Sequence, residues 1–391
     1  MSASKNAFLA TFKHLTRAGA SNSASARVPR ITKPIVAAPM NGWTGPNLVA
    51  AVANHGGFPV FPIGYFTDRN AIIKEVRSVL PLLKDPELHK DDDEVEFLPY
   101  GVGFITFWLD QQGPELLINL LEGKGDDPNR QSRPRPPAAV WFSFGDYKPY
   151  LKLIRERRPG TKVLVQVQTV QEALEAQREN VDVIVLQGTE SGGHGIQKVS
   201  PLMTLIPTAV QALKDEIALE AARGSKLNMP AILAAGGISV ASQFAAVQAM
   251  GASGAVIGTG FMPTYESSGP QHAKERLLQT GDGGINTVRT RIFDELRGID
   301  WPQPYDGRVV RNLLTNREEE DLRERGLYQQ KGLAAFRLIK EDRTGTKEDW
   351  VRAAKEQDLD IVPLWAGTGV GMLTKQASAA EFIDQLIGEQ H

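Results

Sequence analysis

Eight short apolar runs recur along the chain, each ended by glycine or proline or by a polar loop. Nearly continuous apolar runs of this length are typical of parallel strands that are covered on both faces. The runs are PIVAAPM (34–40), FPVFPIG (58–64), YGVGFI (100–105), AAVWFSFG (138–145), KVLVQV (162–167), VDVIVLQG (181–188), AILAAGG (231–237) and GAVIGTGF (254–261).

Helical patterns separate many of these runs. The segment 169–180, TVQEALEAQREN, starts at Thr169 and carries Glu172 three residues later, which is the spacing of a capping box. Similar helical patterns cover 46–57, 146–160 and 239–251. Strands that alternate with helices eight times favour the α/β class, as a (β/α)8 TIM barrel rather than an open sheet.

The strand–helix pattern stops after Phe261. Residues 262–365 predict a smaller, mostly helical unit, and PLWAGTGVGML (363–373) is again apolar and glycine-rich. We therefore predict four parts of the chain. They are a basic N-terminal segment (1–33), the barrel (34–265), a helical substrate or lid unit (266–365) and a C-terminal return to the barrel (366–391).

Composition narrows the possible functions. The chain has 391 residues, 41% of them hydrophobic, which is enough for a large core, and its net charge of −2 does not favour a nucleic-acid partner. The absence of cysteine excludes disulfides, thiolate zinc sites, iron–sulfur clusters and a cysteine nucleophile. No stretch approaches the roughly 20 apolar residues of a membrane-spanning helix, so no membrane partner is predicted.

The first 67 residues contain no acidic side chain. Basic residues, the serines Ser21, Ser23 and Ser25, and apolar residues at helical spacing (Phe8, Leu9, Phe12 and Leu15) share this stretch. This is also the composition of a mitochondrial transit segment. The alternative is an ordinary helix that packs on the barrel. We predict an intracellular protein, with the cytoplasm favoured and the mitochondrion open.

Two glycine-rich loops follow the seventh and eighth runs, where this fold usually binds phosphate. Gly236 and Gly237 precede a helix, and Gly258 and Thr259 end the last strand. Glycines let backbone N–H groups approach phosphate oxygens, and a helix N-terminus adds a favourable dipole. Although glycines also simply end strands, two such loops at the expected pair of strands predict a phosphate-bearing ligand.

The loop GTESGGHG (188–195) places one histidine among four glycines at the end of the sixth run. His194 is therefore a candidate general base, because an imidazole titrates near neutral pH. A histidine that only bonds a loop carbonyl is the alternative. The other five histidines have no partner at metal-ligand spacing, so we predict no metal site.

The motifs APMNG, QGTESGGHG, AAGGIS with IGTGF, and WAGTGVG together resemble those of the nitronate monooxygenase (2-nitropropane dioxygenase) family, over about 34–373. The stretch 287–312, TVRTRIFDELRGIDWPQPYDGRVVRN, resembles fungal members in particular. The resemblance implies a barrel with bound FMN that oxidises alkyl nitronates with O2, without metal. The motif departs from the family pattern at Ser191, often alanine, and at Gly195, often arginine.

The resemblance also implies roles for individual residues. His194 would lie over the flavin as base, or would orient the oxygens of a nitronate that arrives already formed. Glycines of its loop would pass close to the flavin. The predicted cofactor-binding residues are Pro39, Met40, Asn41, Gln166, Gln187, Gly188, Gly193, Gly236, Gly237, Gly258 and Thr259.

Several side chains have two interpretations. Gln166 and Gln187 either bond the flavin or pack the loops, and Glu190 is expected to bond loop backbone or a helix N-terminus rather than to act as a second base. Trp365 and the glycines after it are candidates to close over the flavin. Five aromatic residues line a substrate pocket or fill the core: Phe104, Phe107, Trp108, Trp141 and Phe144.

Three functions compete. The first is FMN-dependent oxidation of nitronates, and possibly of nitroalkanes, by O2 to a carbonyl compound and nitrite. The second is an FMN-dependent NAD(P)H:quinone or enoyl-thioester reductase, which needs no separate dinucleotide motif. The third is a barrel that only binds a phosphate ligand. The expected partners are the small-molecule substrate and O2, with a homodimer as a further possibility.

Overall fold

We describe a computed structural model of the chain, which covers residues 6–12, 31–84, 97–123, 135–316, 353 and 355–388. The acidic run 85–96, the charged run 317–326 and most of the basic N-terminal segment lie outside these residues.

Eight parallel strands close into a barrel, as the eight apolar runs predict. They follow chain order around the barrel, and the short strand that carries the candidate histidine lies outside it. In barrel order the strands are β1 (Ile35–Ala37), β2 (Phe58–Pro62), β3 (Leu98–Ile105), β4 (Pro137–Ser143), β5 (Lys162–Val167), β6 (Val183–Gln187), β8 (Ala231–Ala235) and β9 (Gly254–Ile257).

Helices cover the outside of the barrel. The described helices of the barrel region are α2 (Pro46–Asn54), α3 (Arg69–Arg77), α4 (Thr106–Gln112), α5 (Glu115–Leu121), α6 (Lys148–Arg157), α7 (Val170–Arg178), α8 (Leu202–Ala222) and α9 (Ala241–Ala249). The capping box at α7 forms as the spacing predicts. The Glu172 amide N–H donates to Thr169 Oγ1 at 3.1 Å, and the Glu172 carboxylate accepts from the Thr169 N–H at 3.0 Å.

The N-terminal helix α1 (Ala7–Thr11) lies on the floor of the barrel. Phe8 and Phe12 are buried among the residues that fill the barrel interior, and the Phe12 ring packs on Phe58 with centroids 4.5 Å apart. The Asn6 amide donates to the Ser253 carbonyl, just before β9, at 2.6 Å. The predicted helix is therefore part of the barrel core in this structure.

A second, three-stranded antiparallel sheet stands beside the top of the barrel. Its strands are β7 (Gly193–Ile196), β10 (Thr287–Thr290) and β11 (Tyr305–Val310), in the order β10-β11-β7. The residue pattern of 262–365 predicted no strand, because β10 and β11 are short and carry arginine and aspartate among their apolar positions. We call residues 283–316 together with β7 the cap sheet region.

The described helices after the barrel are α10 (Gln271–Gln279), α11 (Gly283–Asn286), α12 (Ile292–Arg297) and α13 (Ala379–Ile387). The last helix returns to the barrel, where Phe382 packs edge-on against Phe261 at 5.1 Å and Asp384 pairs with Lys33 and His55. No helix among the described residues is long and apolar enough to span a bilayer.

Candidate functional site

A cavity of about 540 Å³ opens where the barrel strands end. This volume lies within the range of cofactor and small-molecule sites. Ten of the eleven residues predicted to bind the cofactor line this cavity, together with the candidate base. These predicted residues are Pro39, Met40, Asn41, Gln166, Gln187, Gly193, His194, Gly236, Gly237, Gly258 and Thr259.

Gly188 is the predicted residue that does not line the cavity. A side chain at this position would collide with the Glu190 carboxylate and would meet the Leu202 backbone nitrogen at 2.9 Å. The Glu190 carboxylate accepts from the Leu202 N–H, at the start of α8, at 3.0 Å. Gly188 therefore makes room for a carboxylate that caps a helix, and Glu190 bonds a helix N-terminus as expected.

His194 sits on β7, the edge strand of the cap sheet region. Its backbone pairs opposite Gly307 of β11, so the antiparallel ladder fixes the height of the histidine above the barrel. The Gln187 side chain at the end of β6 donates to the His194 carbonyl at 3.2 Å, and the Gln166 amide donates in turn to Gln187 Oε1 at 2.8 Å. The two glutamines thus support the histidine backbone and also face the cavity.

Asp294 is the hydrogen-bond partner of the histidine ring. Its two carboxylate oxygens lie 3.0 Å and 2.8 Å from His194 Nε2, and its side chain is 1% exposed. Asp294 belongs to the first turn of α12, 100 residues beyond the histidine in sequence. Asp294 was not among the predicted site residues, although the segment 287–312 that carries it resembles fungal members of the family.

Two indoles enclose the histidine ring. Trp301 lies parallel to it, with centroids 3.7 Å apart and 2° between the planes. Trp365, from the C-terminal return, lies at 4.7 Å with a tilt of 41°. Trp301 also contacts Phe144 at 5.0 Å and Phe107 at 4.9 Å, so the plane of the imidazole is set by a packed aromatic group.

Burial determines the protonation of His194. Removal from water lowers its pKa below the ordinary value of 6.5, and this outweighs the hydrogen bond and the negative charge of Asp294, which raise the pKa. Arg297 lowers it further and Asp306 raises it. The imidazole is therefore neutral at pH 7, the state in which it can accept a proton.

Two arginines of the cap sheet region hold the histidine loop from the side. The Arg289 guanidinium donates to the Gly195 carbonyl at 2.8 Å and pairs with Asp306, and Arg308 donates to the Thr189 carbonyl at 3.1 Å. A side chain at Gly195 would meet Gln168 Nε2 at 2.6 Å, so a larger residue at this position would require the Gln168 side chain to move.

The phosphate-type loops follow β8 and β9. Gly236 and Gly237 have φ of 125° and 69°, and any other residue would be strained there. Ser191 Oγ lines the cavity beside them and, among the described residues, is buried without a hydrogen-bond partner. Thr259 Oγ1 accepts from the Gly367 N–H at 3.0 Å, which leaves its hydroxyl proton available as a donor.

The C-terminal return closes one side of the cavity. The Thr368 N–H donates to the Glu190 carbonyl at 2.9 Å, and a side chain at Gly192 would collide with the backbone at Gly367. Trp365, Gly367 and Gly369 line the cavity, whereas Gly371 packs against the Gly281 carbonyl. Trp365, Gly367 and Gly369, which are candidates from the sequence to close over the flavin, therefore stand at the cavity wall.

The five aromatic candidates divide into two groups. Phe104, Trp141 and Phe144 line the cavity, while Phe107 and Trp108 pack behind it against Trp301 and Tyr65. Tyr65 and Arg297 also line the cavity and were not among the predicted site residues. Of the lining residues that the structure describes, Arg297 alone carries a permanent charge, and its guanidinium lies 5.4 Å from the Tyr65 ring centroid.

Comparison with known proteins agrees with this site. A family model described as nitronate monooxygenase matches residues 129–389. A nitronate monooxygenase from Neurospora crassa is 31% identical over 228 residues, which cover 58% of this chain and 53% of the fungal enzyme. The match therefore spans about half the length of that relative.

Two solved structures share the fold. FabK from Thermotoga maritima superposes with a TM-score of 0.65 at 21% identity, and the match covers 93% of this chain and 96% of FabK. At this identity the similarity shows only that the two proteins share a fold. The nitroalkane oxidase from Streptomyces ansochromogenes superposes with a TM-score of 0.61 at 25% identity and covers 91% of this chain and 95% of its own.

Fold, site and comparisons together define an oxidoreductase built on a (β/α)8 barrel. The chain belongs to the nitronate monooxygenase family, because the family model covers more than half of it.

Proposed function

We propose that this protein is an FMN-dependent enzyme that oxidises alkyl nitronates with O2, giving a carbonyl compound and nitrite, with His194 as base or substrate-orienting group. The observation that carries the proposal is the position of His194. The His194 side chain is only 10% exposed, hydrogen-bonded to Asp294 and stacked on Trp301, and it still lines the cavity at the strand ends.

The residues of the cavity fit FMN. Gly236, Gly237, Gly258 and Thr259 would hold the phosphate. Glycines let backbone N–H groups approach it, Gly236 and Gly237 do so at positive φ, and the Thr259 hydroxyl proton is free to be donated. Ser191 Oγ is a buried hydroxyl that a bound group would satisfy. When bound, FMN would supply the redox chemistry, and the protein would supply binding, orientation and electrostatics.

Other predicted residues would contact the ring. Gln166 and Gln187 present amides at the cavity wall, and Pro39, Met40 and Asn41 of the loop after β1 line the wall formed by the first strand end. Gly193 has a φ of 69°, and the space within 4 Å of its missing side chain is open. The histidine loop could therefore approach the ring closely at this position.

The chain's own residues would bind and prepare the substrate beside His194. Trp301, Phe144 and Trp365 would exclude water from the reacting carbon, and Arg297 would favour an anionic ligand such as a nitronate. A neutral imidazole would take the α-proton of a nitroalkane, whereas a nitronate would need no base.

We also propose that residues 266–365 form the substrate-facing unit on an FMN-binding barrel (34–265), followed by the C-terminal return (366–391). Its support is that Arg297, Trp301, Val362 and Pro363 line the cavity opposite the barrel loops.

An anaerobic titration of the purified protein, followed from 300 to 600 nm, tests the function. Ethyl nitronate is added to one sample and NADPH to another. Reduction of a yellow protein by the nitronate supports the proposal. Bleaching by NADPH alone would move the reductase alternative to first place, and a colourless protein that takes up no FMN would favour the ligand-binding alternative.

Replacement of the histidine refines the test. His194→Asn should lower the rate with neutral nitroethane by about 10²–10⁴-fold, the usual contribution of a general base. His272→Asn is the matched control, because it changes an exposed histidine whose Nε2 lies 3.2 Å from the Gln357 carbonyl. This control should leave the rate unchanged.

A further inference from the structure

The contact between His194 and Asp294 constrains where the histidine proton sits. Asp294 is buried at 1% exposure, and both of its oxygens lie within 3.0 Å of Nε2. The only cation that pairs with this carboxylate among the described residues is Arg297, at 3.9 Å. An ionised carboxylate accepts hydrogen bonds and donates none, so the hydrogen in this contact belongs to His194 Nε2.

The ring has little freedom to change this arrangement. Trp301 covers one face of the imidazole, and Trp365 lies against it at 4.7 Å. The pairing of β7 with β11 and the hydrogen bond from Gln187 hold the backbone below. The contact with Asp294 therefore also sets the direction of the opposite ring nitrogen.

Nδ1 is then the nitrogen with the free electron pair. It makes no hydrogen bond with any residue that the structure describes, and His194 lines the cavity. In a neutral imidazole one nitrogen carries the hydrogen and the other is the acceptor, and the hydrogen bond made by the first fixes the identity of the second.

We propose that Asp294 is a positioning residue that keeps the hydrogen of His194 on Nε2, so that Nδ1 removes the α-proton of a neutral nitroalkane. This inference rests on the proposed function and names a residue pair for its proton step. The C–H bond of the substrate breaks and an N–H bond forms at Nδ1. The electron pair stays on the substrate as the nitronate, and the imidazolium that results lies against the Asp294 carboxylate.

The charged groups around the histidine are consistent with this step. Asp294 and Arg297 face it from α12, and Asp306 faces it from β11. The two acids favour the imidazolium that forms, while burial keeps the resting ring neutral. In hydrolytic triads, too, a carboxylate orients a histidine that acts as a base. Here the proton would come from a carbon atom of the substrate rather than from a hydroxyl group.

Asp294→Asn in the FMN-loaded enzyme tests the proposal. An asparagine amide can donate to Nε2, which would move the histidine hydrogen to Nδ1 and block the base. We expect kcat/KM with nitroethane to fall by about 10²–10⁴-fold, the cost of a wrong tautomer. The rate with ethyl nitronate should change only a few-fold, since a nitronate needs no base.

Two variants serve as comparisons. Asp300→Asn makes the same chemical change at an exposed acid of the same segment and should alter neither rate. Asp294→Glu keeps a carboxylate and should recover part of the nitroethane activity. If Asp294→Asn does not fold, the activities of Asp294→Glu and the NMR spectrum of the wild type still test the role of Asp294.

Nitrogen NMR gives a readout that does not depend on turnover. In the wild type, with signals assigned through His194→Asn, Nε2 should carry the hydrogen and Nδ1 should not; in Asp294→Asn the two should exchange. An equal loss of both activities, or a wild-type spectrum with the hydrogen on Nδ1, would overturn the proposal. A wild type that oxidises the nitronate but not nitroethane would also overturn this proposal, while the proposed function would stand. A wild type that oxidises neither compound would contradict the proposed function itself.

Discussion

The indole of Trp301 and the imidazole of His194 lie parallel, with ring centroids 3.7 Å apart. Trp301 is 1% exposed and comes from the stretch between α12 and β11. It keeps water from one face of the histidine and so contributes to the burial that lowers the pKa of His194.

Replacing the Trp301 indole should shift the pH dependence of the rate with nitroethane. In Trp301→Leu water reaches the ring, the pKa of His194 rises, and the acid limb of the nitroethane rate profile shifts to higher pH, because the base must be neutral. Leucine is chosen because alanine at a buried tryptophan costs about 3–5 kcal/mol of stability. Trp108→Leu, which removes an indole that does not line the cavity, should leave the limb in place. An acid limb identical in all three proteins would contradict the role of Trp301.

Gly307 and Trp365 should prove coupled. A side chain at Gly307 would overlap the Trp365 ring, so Gly307→Ala should displace the indole and lower the free energy of unfolding by about 1–3 kcal/mol. In a Trp365→Leu background the same glycine substitution should cost less. Urea unfolding of the four proteins of this double-mutant cycle measures the coupling. Strict additivity would show that the two residues do not contact each other.

The barrel floor depends on the N-terminal helix. Phe8 is fully buried against the barrel interior, so Phe8→Ala should destabilise the protein by about 3–5 kcal/mol in thermal or urea unfolding. Ala10 lies on the exposed face of the same helix, and Ala10→Ser should change stability by no more than about 0.5 kcal/mol. Equal effects of the two substitutions would mean that this helix does not seal the barrel.

His194 should also make stability depend on pH. Its pKa is lowered in the folded state, so the unfolded chain takes up its proton first as the pH falls. The stability of the wild type is therefore fully present above the ordinary histidine pKa of 6.5 and declines as the pH falls below it toward the folded-state value. His194→Gln removes this contribution, so the wild type should lose more stability than the variant between pH 7.5 and pH 5 at equal FMN loading. A wild type that gained on the variant over this range would contradict the sign.

The fold could be predicted from the chain because the physics that forms it is local. Each barrel strand is a nearly continuous apolar run, and helix signals such as the Thr169 and Glu172 pair act within four residues. The two strands β10 and β11 could not be predicted in this way. Each is short. Arg289 pairs with Asp306 and donates to the Gly195 carbonyl, and Arg308 donates to the Thr287 hydroxyl and the Thr189 carbonyl, so these polar side chains interrupt the apolar pattern.

The candidate site could be predicted only on the barrel side. His194 and the glycine loops can be recognised in the sequence because unusual residues cluster at strand ends. Asp294, Trp301 and Arg297 sit on ordinary helix and loop sequence, and only the folding of the cap sheet region over the barrel brings them to the histidine. A partner 100 residues away in the chain leaves no spacing from which to infer it.

The strand β7 has a consequence for how this protein would lose activity. His194 follows a barrel strand in sequence, yet its own hydrogen-bonding ladder belongs to the cap sheet, as do its acid and one of its indoles. The cap sheet could open as a separate cooperative unit while the eight-stranded barrel stays closed. Such an opening would separate His194 from the barrel side of the cavity without unfolding the barrel. We therefore expect heat to abolish nitroethane turnover several degrees before the far-ultraviolet circular dichroism signal of the barrel is lost.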